Sequence, residues 1–309
     1  MNIIRLTGGL GNQMFAYALY LKFKKLNKEA CFDDFTEYEG HDNARIKNLG
    51  VFGIDYPVCT RDEYEAMTDS KRGFFNKVLR HIRGRKASEY TEKGPEYDAA
   101  VIACENVYIK GYFQSEKYFE DIKADVISNF KFLPEVVNEA LTMLEEQESA
   151  QLPQEHTCPD SLEDALNCEG QIPVSVHIRR GDYLDVPQLY GDICTEEYYG
   201  KALKYISQEV KNPRFLVFSN DTEWAQNWAL DVSEKYDYNI TVFENEDEDK
   251  GYIDMCLMSL CSHNIIANSS FSWWGAYLNE NPSKIVVAPS KWVNGKNQED
   301  IYTADMVRL

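Results

Sequence analysis

The chain has 309 residues, more than the roughly 250–300 that one hydrophobic core usually serves, so two domains of about 150 residues are the first expectation. Hydrophobic residues at 44% and aromatics at 13% exclude wholesale disorder, and no window approaches the roughly 18 uninterrupted apolar residues of a membrane span. A net charge of −19, from 51 acidic against 32 basic side chains, repels polyphosphate and argues against nucleic-acid binding.

Residues 2–7 form a short apolar run without the basic region or cleavage pattern of a secretory signal, so the chain reads as soluble and cytoplasmic. Gly8, Gly9, Leu10 and Gly11 punctuate that run, Asn12 opens a helical pattern to about Leu26, and residues 30–33 read as the next strand. Strand, glycine turn, helix and strand in this order mark an α/β layer. The turn starts like a dinucleotide fingerprint, with Asp33 at a suitable distance. Met14, however, stands where a small residue must let helix and strand pack closely.

Between residues 70 and 88 the charge inverts, with Lys71, Arg72, Lys77, Arg80, Arg83, Arg85 and Lys86 and no acid. Phe74, Phe75, Val78, Leu79 and Ile82 give the same segment an apolar face. It reads as a solvated basic helix or loop, or as a patch (71–86) that meets anionic lipid at the inner membrane. A strand follows at 107–112, helical stretches at 115–119 and 121–130, and a helix at 134–147. Residues 148–173 hold three prolines and no sustained periodicity, and make the best boundary. The expected domains are therefore 1–150 and 174–309, joined by a linker at 151–173. Eight cysteines are scattered without a CxxC pair, including Cys158 and Cys168 in that linker, and read as reduced thiols rather than metal ligands.

Beyond the linker, strands at 174–178, 215–219, 240–243, 264–267 and 285–288 alternate with helices at 196–210, 223–230, 253–261 and 273–278. That alternation is a doubly wound parallel sheet. Ligands of such sheets bind outside the carboxyl ends of the strands, and three motifs fall there. His177, Arg179 and Arg180 end the first of these strands. Side-chain alternation puts His177 and Arg179 on one face and Arg180 on the other, while Asp182 is close enough in sequence to brace either guanidinium. Ser219 and Asp221 end the second strand, where a helix cap is the alternative role. Asn268, Ser269, Ser270 and Phe271 lead from a strand into a helix, offering hydroxyls and backbone N–H groups to an anion or serving as a cap. Trp273 and Trp274 read as core. Asp254 stands alone at the start of an apolar helix, either buried in a pair or accepting from the edge of a base such as guanine. Together these describe a site for a nucleoside diphosphate. Asp247-Glu248-Asp249 matches a metal-binding DxD but lies in an acidic run that reads as a solvated loop.

The joint pattern of Gly8-Gly9-Leu10-Gly11-Asn12-Gln13-Met14-Phe15, His177-Ile178-Arg179-Arg180-Gly181-Asp182-Tyr183 and Asn268-Ser269-Ser270-Phe271-Ser272-Trp273-Trp274-Gly275 resembles the alpha-1,2-fucosyltransferase family, bacterial type, and spans roughly residues 1–295. The resemblance implies a GT-B fold, two Rossmann-like domains facing across a cleft, with the donor GDP-L-fucose in the C-terminal half. It implies transfer with inversion, without a metal or other cofactor, to the 2-hydroxyl of a terminal galactose on an oligosaccharide or lipid-linked glycan. It places Arg179 on the β-phosphate, His177 and Asp254 on the guanosine, and Gly11 and Asn12 toward phosphate or acceptor. Fixed cations at Arg179 and Arg180 then offset the charge that GDP gains on leaving. Asp182 is the candidate general base, or else orients Arg179. A fucosyltransferase of another linkage is the alternative, since the arginine motif is shared across the wider superfamily. A nicotinamide-linked oxidoreductase and a non-catalytic glycan-binding protein compete from other classes: the oxidoreductase needs Gly9, Gly11 and Asp33 at a cofactor, and the glycan-binding protein has no use for a phosphate site.

Overall fold

A computed structural model describes residues 1–39, 46–71, 73–151, 170–245 and 247–309. The chain divides into two compact units, Met1–Lys131 with Glu299–Tyr302, and Phe132–Gln298 with Thr303–Leu309.

The first unit is built on strands β1 (Asn2–Arg5), β2 (Ala30–Asp33), β3 (Glu89–Thr91) and β4 (Tyr108–Lys110), in the order β2-β1-β4-β3, with every pairing parallel. Helix α1 (Leu10–Lys25) crosses from β1 to β2 and buries Met14, Phe15, Ala18 and Leu19. Helix α2 (Arg61–Thr68) starts with a reciprocal cap between Thr60 and Glu63. Helices α3 (Phe74–Arg83), α4 (Ala100–Ala103) and α5 (Lys123–Asn129) complete the unit.

The second unit carries β5 (Ile172–Ile178), β6 (Pro213–Ser219), β7 (Asn239–Val242), β8 (His263–Ile265), β9 (Val286–Ala288) and β10 (Met306–Arg308) in the order β10-β9-β8-β5-β6-β7, again all parallel. Numbered within the unit, this is the Rossmann order 3-2-1-4-5-6 read from its far edge. The helices are α6 (Pro134–Gln151), α7 (Pro187–Tyr190), α8 (Glu196–Glu209), α9 (Thr222–Tyr236), α10 (Gly251–Leu260) and α11 (Ser270–Tyr277). Val174, Val176, Ile178, Phe215 and Val217 pack between sheet and helices with Tyr199, Leu203, Ile206 and Trp228. Strands this uniformly apolar are what a sheet covered on both faces requires. Two parallel α/β units of this kind are the fold class that the sequence pattern implied.

The boundary expected near residue 150 falls instead at 131/132, because α6 docks on the C-terminal unit. Buried Arg214, 5% exposed, pairs with Glu148, and the Gln147 amide exchanges two hydrogen bonds with the Glu244 backbone at 2.6 and 2.9 Å. Amphipathic periodicity located α6 but says nothing of which sheet its apolar face meets. Of the expected linker at 151–173, residues 152–169 lie outside the described residues, Cys158 and Cys168 with them, while Gln151 ends α6 and Ile172 already begins β5. Residues 299–302 belong to the first unit through Asp300, which accepts from the Tyr97 backbone at 2.7 Å and pairs with Lys117.

Candidate active site

In a sheet of this order the switch point lies between β5 and β8, whose neighbours are reached by crossovers in opposite directions. The turn after β5 is held from three sides. Asn220 accepts the Arg180 N–H at 2.9 Å, and the Tyr199 hydroxyl donates to the His177 carbonyl at 3.1 Å. The Tyr183 hydroxyl donates to the Asn268 carbonyl at 2.9 Å, tying the β5 turn to the β8 turn. Gly181 sits at φ +23°, and a Cβ there would lie 2.1 Å from Asn220 Nδ2, so the close approach itself demands glycine.

Strand alternation separates the two arginines as expected. Arg180 Nε donates to Asp221 at 3.1 Å, and its guanidinium lies 4.1 Å from the Trp224 ring centroid. Asp221 in turn caps α9 by accepting the Trp224 N–H. Arg180 and Asp221, expected to bind donor, are thus engaged with one another and with α9. Arg179 remains on the face of His177, partly buried, its guanidinium 5.7 Å from the Tyr183 ring. His177 is 4% exposed, and its Nδ1 has no hydrogen-bond partner among the described residues. Burial, with a smaller contribution from Arg179, lowers its pKa to about 3, so the ring is neutral. Its ring centre lies 5.5 Å from that of Phe271.

Asp254 lies on α10, the helix that packs against α11. A Cβ on Gly251, one turn earlier, would stand 4.0 Å from the Phe271 ring. Gly275 of α11 meets Met258 of α10 in the close crossing that fixes the two helices. The half-buried Asp254 accepts one hydrogen bond from Asn245 Nδ2 at 2.7 Å. Burial outweighs that bond and pushes its pKa up to about 7. Asn245 is placed from below, since Lys250, whose carbonyl it also reaches at 3.1 Å, pairs with Glu139 of α6 at 2.7 Å.

The remaining expected residues divide into scaffold and rim. Ser269 Oγ caps α11 by accepting the Phe271 N–H, and Ser219 Oγ accepts the Asp221 N–H at 3.1 Å. Asn268, 2% exposed, donates to the Trp292 carbonyl at 2.9 Å and accepts from Cys194. Ser270 and Phe271 are partly exposed at the turn. Trp273 and Trp274 are fully buried. The Asp182 side chain lies outside the described residues. Asp247 accepts the Asp249 N–H at 3.0 Å, an ordinary loop cap, and no group of three metal-ligating side chains occurs among the described residues.

In the N-terminal unit, Gly8 stands at φ +71° with its carbonyl accepting from Gln13 at 3.0 Å and Tyr38 at 2.8 Å. Asn12 Oδ1 accepts from Gln114 Nε2 at 2.8 Å, and Gly11 is buried beneath. Asp33 is fully buried and accepts from Phe35 N, Thr36 N, Thr36 Oγ1 and the Tyr108 hydroxyl. A carboxylate committed to four internal donors does not hold a ribose, which removes the nicotinamide reading. Sequence reasoning missed Asn245, Tyr183, Trp224 and Gln114 as contributors. Only Tyr183 had a signal, as the last residue of its motif.

The chain is 30% identical to the O-antigen biosynthesis glycosyltransferase WbnK of Escherichia coli over 98% of its own length and 99% of the relative's. The model of glycosyl transferase family 11 matches residues 162–308. The chain belongs to glycosyltransferase family 11. An E. coli alpha-1,2-colitosyltransferase is 30% identical, covering 94% of this chain and 91% of that one. The galactoside alpha-(1,2)-fucosyltransferase 2 of Pongo pygmaeus is 26% identical over 89% and 68% respectively. Among solved structures, a point mutant of Arabidopsis thaliana FUT1 in complex with GDP matches at TM-score 0.46 and 13% identity, covering 93% of this chain and 70% of that one. The family 11 match spans the motif after β5 and the turn into α11, the two elements that the geometry brings together.

Proposed function

We propose that this glycosyltransferase moves L-fucose from GDP-β-L-fucose to the 2-hydroxyl of a terminal galactose, in an α-1,2 linkage, during synthesis of a surface glycan. The observation that carries the reading is the switch-point cluster of His177, Arg179 and Phe271, with Asp254 on the adjoining helix α10. It supplies a cation for a diphosphate, a ring face, and a carboxyl able to accept from two adjacent N–H groups. Guanine offers such a pair at N1 and its exocyclic amine; adenine and uracil do not. Arg179 would neutralise the charge that GDP gains as the glycosidic bond lengthens, work that a divalent metal does elsewhere. His177, neutral and with one ring nitrogen unpartnered, can donate or accept one hydrogen bond to the nucleotide. A single in-line attack by the galactose hydroxyl on the β-linked donor gives the α product. Asp182 is assigned as base or as orienting group for Arg179, and the Asn12–Gln114 amide pair is assigned to the acceptor side.

The 30% identity to an alpha-1,2-colitosyltransferase favours a second reading, in which the sugar is colitose, a fucose without its 3-hydroxyl. Incubation with GDP-fucose or GDP-colitose and a β-galactoside in EDTA separates the two, with the product linkage read by NMR. Fucosylation at O2 supports the first reading. Transfer from GDP-colitose alone supports the second, and no transfer from either donor overturns both.

A further inference from the structure

Of the chain's fifteen phenylalanines, Phe74 and Phe75 are exposed, at 76% and 82%, while the others are buried or partly buried. Both lie at the start of α3, where Ile82 is 76% and Val78 39% exposed. Residues 74, 78 and 82 are four apart and 75 adjoins them, so these side chains share one helical face. Gly73 and Gly84 flank the helix, both at positive φ, which sets it off as an excursion from the fold. Its return is pinned to α2. Arg85 Nε donates to the Thr68 carbonyl at 3.0 Å and Ser88 N to the Met67 carbonyl at 2.9 Å. Arg83 meets Asp69 at 3.1 Å, and the Lys86 backbone donates to the same carboxylate. The helix is thus held at its base while its apolar face stands in water.

We propose that α3 and its basic flanks form an interfacial anchor that seats this enzyme on an anionic lipid surface. Charge selects the occupant. Counting Asp69 and Glu89, which pair with Arg83 and Arg85, residues 69–89 carry net +5 on a chain of net −19. An anionic bilayer therefore repels most of this surface and attracts one segment, so approach and orientation are set together. A helix with aromatic and aliphatic residues on one side and Lys77, Arg83 and flanking cations around it suits the boundary between headgroups and acyl chains. Two-fold pairing of this face between copies of the chain would bring the +5 segments into contact, and a nucleic acid has no use for four clustered apolar side chains. No helix among the described residues is long and apolar enough to cross a membrane, so the contact is peripheral. The proposal stands apart from the identity of the donor.

Sedimentation of the purified protein with phosphatidylcholine vesicles, alone or with one-third phosphatidylglycerol, tests it. The protein should pellet with the anionic vesicles, release in high salt, and stay in solution with the neutral ones. Near an anionic surface each basic side chain is worth about fivefold in partitioning, so Lys77→Glu with Lys86→Glu should weaken binding on the order of several hundredfold. Phe75→Ser with Ile82→Ser should weaken it by roughly tenfold or more per residue, without lowering the melting temperature, because both side chains are exposed. Failure to pellet, or equal pelleting with neutral vesicles, would overturn the proposal. So would a concentration-dependent dimer that Phe75→Ser/Ile82→Ser abolishes while vesicle binding is absent, which would make this face an interface between copies.

Discussion

Replacing Asp254 by Asn separates the two things this carboxyl is placed to do. Its pKa is raised from 3.8 to about 7 by burial, with one compensating bond from Asn245. The interval corresponds, at about 1.36 kcal/mol per pH unit, to a ceiling of about 4 kcal/mol against the ionised folded state. Asp254 is partly exposed as a residue, so solvent takes a share, and roughly 2 kcal/mol is the expected gain of the isosteric neutral amide at pH 8. For a chain of this size that is about 4–8 °C in melting temperature. The sign follows from linkage: a carboxyl with a raised folded pKa contributes stability below pH 4 and loses it as pH rises through 7. The gain of Asp254→Asn should therefore be full at pH 8 and vanish toward pH 4, in melts run side by side. His177, lowered to about 3, acts in the opposite direction below pH 6.5 in both proteins and cancels in the comparison. GDP affinity should move the other way. Losing charge-assisted bonds to the base should cost about tenfold to a hundredfold at pH 8, and wild-type affinity should fall as pH drops below 7 while the variant's stays flat. A variant that binds GDP as tightly as wild type, with the same pH dependence, would refute the assignment of Asp254 to the base.

The two arginines make a paired test. Arg179→Ala should lower the transfer rate by about 10²–10³, whereas Arg180→Ala should leave most activity and lower stability by loosening α9, as steady-state assays and melts will show. Glu148→Ala removes the ion pair to buried Arg214 and should destabilise the C-terminal unit by about 1–3 kcal/mol in urea titration. Gly181→Ala must displace Asn220 and should lower GDP affinity by more than tenfold in calorimetry while the protein remains folded; an unchanged affinity would show that the β5 turn is not part of the site.

The alternation of apolar strands with helices was legible because parallel strands are buried on both faces and cannot vary in pattern. Strands β3 and β10, three residues each, lie at sheet edges and are half polar, so they carried no comparable signal. The placement of His177 and Arg179 on one face followed from period-two alternation alone. The engagement of Arg180 did not, because Asp221 and Trp224 approach from the next strand–helix unit, about 40 residues later. Asn245 was invisible for the same reason: an acidic loop conceals the one amide that α6 fixes beneath Asp254. The cap roles of Asp221 and Ser269 were open beside a ligand role in the sequence, and their backbone partners in the structure satisfy the cap role.

Calorimetric titration of GDP in excess EDTA, beside UDP and ADP and with the Arg179→Ala variant, tests the central claim most directly. The account predicts micromolar binding of GDP, weak or no binding of the other two, and loss of the GDP signal in the variant. Binding of UDP in preference to GDP, or binding of GDP that requires added Mn²⁺ and survives Arg179→Ala, would contradict it.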